Sequence, residues 1–303
     1  MRRRVSTACW IAAVVAGSAA ATMAAARPHS GVSGVAAASD STLYATDPGL
    51  PLLSPLSAVQ VRSVSGGGSI SVPILLYHYI RTVTNPDDQV GYELSTPPAV
   101  FKREMDWLRE SGGHTVTLAQ VMDALEGHAT LPSRPVVLTF DDGHDDFATR
   151  AVPVLVANRQ VGTVFVNTGF MGHPSYMTAS QVQQVAAFGM TVGDHTVNHV
   201  DLVAQPAATV RSEIDADRDT LERLLGVPIL DFAYPYGDYD ASVVNLVAAA
   251  GFRDAVTTEL GRIELLAQPF TMPRIRVGGD DNVWSFAAKA GLPQPPRDWL
   301  DPF

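Results

Sequence analysis

A single cysteine, Cys9, stands among the 303 residues, and it lies near the very start of the chain. That scarcity excludes a disulfide framework and a structural zinc site built on thiolates. Positive charge is also short: 21 Lys and Arg against 31 Asp and Glu leave a formal net charge of −10. A nucleic-acid binder would show a basic patch or stripe, and docking on anionic lipid would need one too, so both partner classes are disfavoured. A neutral or cationic partner fits better. The body of the chain also has no transmembrane run, no internal repeat, no block of like charge and no Gly-x-Ser-x-Gly elbow of the kind that serves serine hydrolases. What is there, 46% hydrophobic and 17% charged residues, is the make-up of a globular protein with a sizeable core.

The first residues, Met1-Arg2-Arg3-Arg4, form a basic start to an Ala-rich apolar stretch from Ala8 to Ala26. Small residues at Ala24, Ala25 and Ala26 suit a cleavage site, so residues 1–26 read as a secretory signal, with an uncleaved membrane anchor as the alternative. Cleavage there would remove Cys9 and three arginines, taking the net charge from −10 to −13. Residues 27–70 are rich in Ser, Gly, Ala and Pro and end in Gly66-Gly67-Gly68-Ser69, which reads as a flexible linker. The competing reading places a strand or two there, from Leu50 to Val64. The expected location is secreted or at the cell surface.

From Val72 onward, short apolar runs alternate with helical patterns. Strands are expected at 73–77, 135–140, 162–166, 190–194, 229–234, 254–258 and 272–277. Helices are expected after Thr96, which can cap, at Leu118–Leu125 with Thr117 as cap, and near 146–158, 178–188, 206–225 and 241–250. In the first of these, Phe101, Met105 and Leu108 share a face and the prolines suit the first turn. Thr178 with Gln181 spells a capping box, and Gly189, Gly226 and Gly251 fall just past helix ends. Seven strands separated by helices imply an α/β fold with a parallel sheet, and this count favours a closed or nearly closed (β/α) barrel over an open doubly wound sheet. One catalytic domain, 71–290, and a C-terminal tail, 291–303, with Trp299 docking the tail, complete the organisation.

The polar clusters fall where such a barrel concentrates function. His78 ends the first strand, Asp141 and Asp142 the second, His195 the fourth, and Pro235-Tyr236-Gly237 the fifth. Asp-Asp-Gly alone is a common tight turn, and two histidines four apart are often a surface or core pair sharing a helical face. Together at strand ends, a carboxylate and two histidines make a metal-ligand set, with the second aspartate as a candidate general base. Thr196 stands where the His-Glu-x-x-His proteases carry their glutamate, which excludes that scheme. Two imidazoles and one carboxylate suit zinc first, and also cobalt, nickel or iron. A two-His-one-carboxylate oxygenase would use the same ligands, but it needs no second aspartate and favours an all-β jelly roll.

These residues carry a specific resemblance. Thr139-Phe-Asp-Asp-Gly143 and His195-Thr-Val-Asn-His199 resemble the first two motifs of the polysaccharide deacetylases, the NodB-homology group or carbohydrate esterase family 4. Phe232-Ala-Tyr-Pro-Tyr-Gly237 and Met272-Pro-Arg-Ile275 extend the likeness over about 72–280. The resemblance implies a distorted barrel that uses a divalent metal ion to remove acetyl groups from N-acetylated sugars in a polymer. By it, Asp141 is the general base, Asp142, His195 and His199 bind the metal, and the backbone N–H of Tyr236 stabilises the oxyanion. A monomer acting on an N-acetylated polysaccharide is expected, with membrane contact only through an uncleaved N-terminal anchor.

Two departures stand out. No histidine follows His199, where common members place their acid, so His78 in Ile74-Leu-Leu-Tyr-His78 takes that part, as in the poly-β-1,6-N-acetylglucosamine deacetylase-like members. Its alternative is a core residue after a buried strand. The third motif has Ala233 in place of the arginine that orients the base, and Arg274 is expected to reach Asp141 instead, with a structural ion pair as the bland alternative. The acid histidine has no clean carboxylate partner; Asp280 or Asp281 is the nearest candidate. His144 reads as a solvated loop histidine that could touch substrate. The motifs leave open an O-acetyl esterase acting on xylan or another glycan, and a glycan-binding relative that has lost catalysis.

Overall fold

The computed structural model describes residues 62–64 and 67–300. The expected signal at 1–26 and most of the expected linker lie outside them. Seven parallel strands form the centre: β1 Ile74–Tyr77, β2 Pro135–Phe140, β3 Thr163–Val166, β4 Thr191–Asp194, β5 Asp231–Ala233, β6 Asp254–Leu260 and β7 Met272–Arg276. They pair in sequence order, and β7 and β2 both pair with β1, which closes the barrel. The expected (β/α) barrel of about seven strands is what forms. Parallel neighbours need long crossovers, and the helices supply them.

The strands alternate between two apolar surfaces. Ile74, Val137, Phe165, Ala233, Val256 and Met272 share one cluster inside the barrel, with the helix Leu118–Leu125 packed beneath them. β4 contributes Gly193 at this level, and a side chain there would run into the Phe165 ring at 2.5 Å. Leu75, Leu138, Phe140, Val164, Val192, Phe232 and Ile275 face outward against the helices. From the helix Pro98–Glu110, Phe101, Met105 and Leu108 are buried in that outer layer, as their spacing predicts. Each fully buried side chain of this size contributes about 1.5–3 kcal/mol.

Most expected ends hold. Thr117 and Thr178 each cap their helices in a capping box, with Gln120 and Gln181. Gly226 and Gly251 end the helices Ala207–Leu225 and Ala241–Ala250 in left-handed conformation, where a β-carbon would be strained. Thr96 does not cap: Pro97 occupies the N-cap position, while Thr96 is buried and its N–H donates to Tyr79 O. The expected helix near 146–158 opens with a π turn, Phe147–Ala151, before Val152–Ala157. The end of the span read as linker is strand, not loop: Arg62–Val64, Gly67–Ser71 and Ile263–Leu265 form a small antiparallel sheet leading into β1. At the other end Trp299 docks edge-on against Trp107 at 5.1 Å, and its indole N–H donates to Glu110. Among the described residues, no helix is long and apolar enough to cross a membrane.

Candidate active site

Barrel closure brings the scattered clusters together. Tyr77 is registered with Phe140, and the Asp141 N–H donates to Tyr77 O, so His78 and Asp141 leave neighbouring strands side by side. β3 and β4 end level at Val166 and Asp194, and the His195 N–H donates to Val166 O. Three residues beyond β5, Tyr236 stands beside His199, their ring centres 4.5 Å apart. Asp142, Thr196, His199 and Tyr236 all adopt positive φ, from 51° to 75°, so the loops that aim these residues hold a conformation that L side chains adopt rarely.

Asp142 sits between three imidazoles. Its Oδ1 lies 3.4 Å from His195 Nε2 and 3.4 Å from His199 Nε2, and its Oδ2 lies 3.3 Å from His144 Nε2. The Oδ1 and the two Nε2 atoms of His195 and His199 fall within 4.8 Å of one another, close enough to share one cation. His195 donates its Nδ1–H to Ala233 O at 2.7 Å, which leaves Nε2 as the lone-pair nitrogen. Burial, with His195 next to it, lowers the His199 pKa to about 4, so this imidazole is neutral near pH 7. For His195 burial works the same way, but the Asp142 and Asp141 carboxylates outweigh it and push the pKa up. The donor set fits a divalent metal. A second grouping, Asp123, Glu126 and His128, is already met by a cation, because the Arg253 guanidinium bonds both Asp123 and Glu126.

The His-x-x-x-His pair does not lie on a helical turn, as its spacing suggested. Residues 195–199 form a bent loop, pinned by its own and neighbouring polar groups. Asp194 Oδ1 accepts from the Thr196 N–H, Thr196 Oγ1 accepts from the His199 N–H, and Asn167 Nδ2 donates to the His195 and Thr196 carbonyls. Glu213 holds Asn198 by two bonds of 2.8 Å.

Asp141 is buried and faces Arg274, itself buried, through two parallel hydrogen bonds of 2.7 Å. Arg274 also donates to Thr139 Oγ1 and Thr257 O, which fixes its plane. Burial would raise the Asp141 pKa; the guanidinium outweighs it and holds the carboxyl below its usual range. His78 is lowered by burial against the pull of Asp141 and Asp142, and its Nδ1 is buried without a partner. Asp281 does not supply one, for it accepts from Gly278 N–H and pairs with Lys289.

With this geometry in view, comparison with known proteins is informative. The family model described as polysaccharide deacetylase matches residues 128–255. Over that span the chain is similar to the polysaccharide deacetylases. YxkH of Bacillus subtilis (strain 168) is 27% identical to it over 206 residues, 68% of this chain and 71% of that protein. A poly-β-1,6-N-acetyl-D-glucosamine N-deacetylase of Escherichia coli (strain K12) is 25% identical over 248 residues, which cover 67% of this chain but only 37% of that longer protein. Among solved structures, the Streptococcus pyogenes deacetylase PplD in complex with acetate superposes with a TM-score of 0.68 at 28% identity, over 73% of this chain and 98% of that one.

The mouth of the barrel also holds a residue that sequence reasoning misplaced. His144 is not solvated: it is 3% exposed, stacked on Tyr79 with ring centres 3.8 Å apart, and tilted against Tyr176 at 4.9 Å. Its position directly after Asp-Asp-Gly was the available signal. The stacking partners come from segments far apart in sequence, and no local pattern announces them.

Proposed function

We propose that this chain is a metal-dependent hydrolase that removes N-acetyl groups from N-acetylglucosamine units of a cell-wall or extracellular polysaccharide, working outside the cell or at its surface. The observation that carries the reading is the Asp141–Arg274 pair set beside the Asp142, His195 and His199 donors. A glycan binder without catalysis would need the donors at most; it would have no use for a buried, ionised carboxylate with a rigid cationic brace. The likeness to a relative named for N-deacetylation of poly-β-1,6-N-acetyl-D-glucosamine supports the choice of substrate class.

Asp142 and the two histidines would hold a divalent cation, zinc foremost, which would polarise the acetamide carbonyl and acidify a water molecule. Asp141 is the general base: ionised at neutral pH and unable to turn away from Arg274, it accepts the proton of the attacking water. His78, beside it at the strand ends, gives a proton to the departing amine. The Tyr236 backbone N–H, in its left-handed turn, donates to the developing oxyanion. Arg274 is a positioning residue, standing in for the arginine that Ala233 displaces from the third motif.

The test is acetate release from N-acetylglucosamine oligomers and from an O-acetylated xylan by zinc-loaded protein. Acetate from the oligomers, lost in the Asp141→Asn variant and on chelation, is expected. Acetate from xylan alone would make the protein an ester hydrolase. No acetate from either, with metal confirmed bound, would make it a glycan-binding relative.

A further inference from the structure

We infer that His144 is a positioning residue for the metal-binding carboxylate: its Nε2–H holds Asp142 Oδ2, so that Asp142 presents Oδ1 alone to the cation. The inference rests on the metal-dependent reading above. Its starting point is a division within one side chain. Oδ1 of Asp142 faces His195 and His199, each at 3.4 Å, while Oδ2 faces His144, at 3.3 Å. A carboxylate free to turn about its last bond could offer both oxygens; one whose second oxygen accepts a hydrogen bond is fixed in the one-oxygen mode.

The protonation of His144 follows from its surroundings. Its Nδ1 is buried and has no hydrogen-bond partner. A proton placed there would be a buried, unsatisfied donor and would turn the Nε2 lone pair toward an anion. The tautomer with its proton on Nε2 avoids both penalties. Backbone pairing sets the ring's place, because Asp145 N–H donates to Ser175 O and Met177 N–H to Gly143 O, laying His144 opposite Tyr176. On the other side, Ile80 N–H donates to Asp146 Oδ2, which ties the segment carrying Tyr79 to the same turn. The Arg81 guanidinium lies 3.6 Å from the Tyr79 ring centre; with His144 at 3.8 Å from that same ring, the two must occupy opposite faces. Arg81, Tyr79, His144, Tyr176 and Phe170 thus form a continuous chain of contacts, stacked at Tyr79–His144 and tilted from His144 through Tyr176 to Phe170. A ring clamped this way can hold a carboxylate that sits at φ 75°, where the backbone alone would not fix it.

The experiment measures zinc affinity, by competition with a chromophoric chelator, for metal-stripped wild type, His144→Phe and His144→Gln. The phenyl ring keeps the stack and removes the donor; the amide keeps a donor. His144→Phe is expected to bind zinc about 10–100-fold more weakly, with His144→Gln recovering part of the loss. A purely structural role would lower the melting temperature of the stripped variant and leave its zinc affinity alone, so a dissociation constant within about 3-fold of wild type overturns the proposal. Long-range 15N–1H correlation spectra of the wild type need no substitution: a proton on His144 Nε2 supports it, and one on Nδ1 overturns it. If stripped wild type takes up no zinc, the metal-dependent reading itself falls, and this inference falls with it.

Discussion

The two ends of the barrel treat the same chemical group in opposite ways. At the C-terminal mouth, buried Asp141 and half-buried Asp142 are held as anions, because Arg274 and the imidazoles outweigh the cost of desolvation. At the opposite end, Asp231 and Asp254 open neighbouring strands at registered positions, buried, without such a brace. Burial drives the Asp231 pKa up to about 6 and, with Asp231 beside it, raises Asp254 well above the carboxylate range. Glu264, in the small sheet that leads into β1, is raised to about 8 by burial alone, and neither of its carboxyl oxygens has a partner. Desolvation is common to all five groups. What separates an anion from a neutral acid here is whether a cation or imidazole has been placed within hydrogen-bonding reach.

That contrast can be broken at the mouth, where the largest effects are expected. Asp141→Asn keeps the shape and removes the proton acceptor, so acetate release should fall about 10²–10⁴-fold in kcat while the melting temperature stays near that of wild type. Arg274→Met asks what Asp141 becomes when it is left like the carboxyls at the far end. Removing one partner of a buried pair costs about 3–5 kcal/mol, to be read by denaturant unfolding. The sign of its pH effect follows from the pair: Arg274 holds the Asp141 pKa down, so its loss lets the pKa rise. The base must be ionised to act, and the acidic limb of the kcat/KM profile should therefore move to higher pH. Arg274→Lys, which returns a charge but not the two-pronged geometry, should bring that limb part of the way back. An unmoved limb in Arg274→Met would show that Arg274 does not tune Asp141.

How much of this was legible in the chain depends on the range of the interaction. Strand positions, the barrel and the residues at its mouth follow from apolar runs and their polar ends, which are local patterns. The reach of Arg274 to Asp141, 133 positions away, was readable only through a gap, since Ala233 occupies a place where a cation is wanted. The bent loop at 195–199 could not be told from a helical turn, because two histidines four apart have the same spacing in a helix and in a loop with positive φ at Thr196 and His199. Thr96 has the chemistry of a cap, but its backbone was taken by a bridge to Tyr79 that no window along the sequence contains. The carboxyls at the far end escaped notice altogether. Asp231, Asp254 and Glu264 are ordinary acidic residues until the closed barrel and the small sheet bury them.

Glu264 gives the smallest expected effect and the sharpest test of that far end. Its folded pKa of about 8 lies above the ordinary glutamate value of 4.5, so the folded state holds the proton more tightly than the unfolded one. The stability tied to this proton is complete below the unfolded value and is lost progressively as pH rises toward and through the folded one. Glu264→Gln mimics the protonated carboxyl and cannot ionise. At pH 4 the variant and wild type should unfold at nearly the same denaturant concentration. Between pH 5 and 9 the variant should become progressively the more stable of the two, with the gap levelling off above the folded pKa. A gap that is constant with pH would mean that Glu264 is already ionised in the folded protein, and the distinction between the two ends would then come down to Asp231 and Asp254 alone.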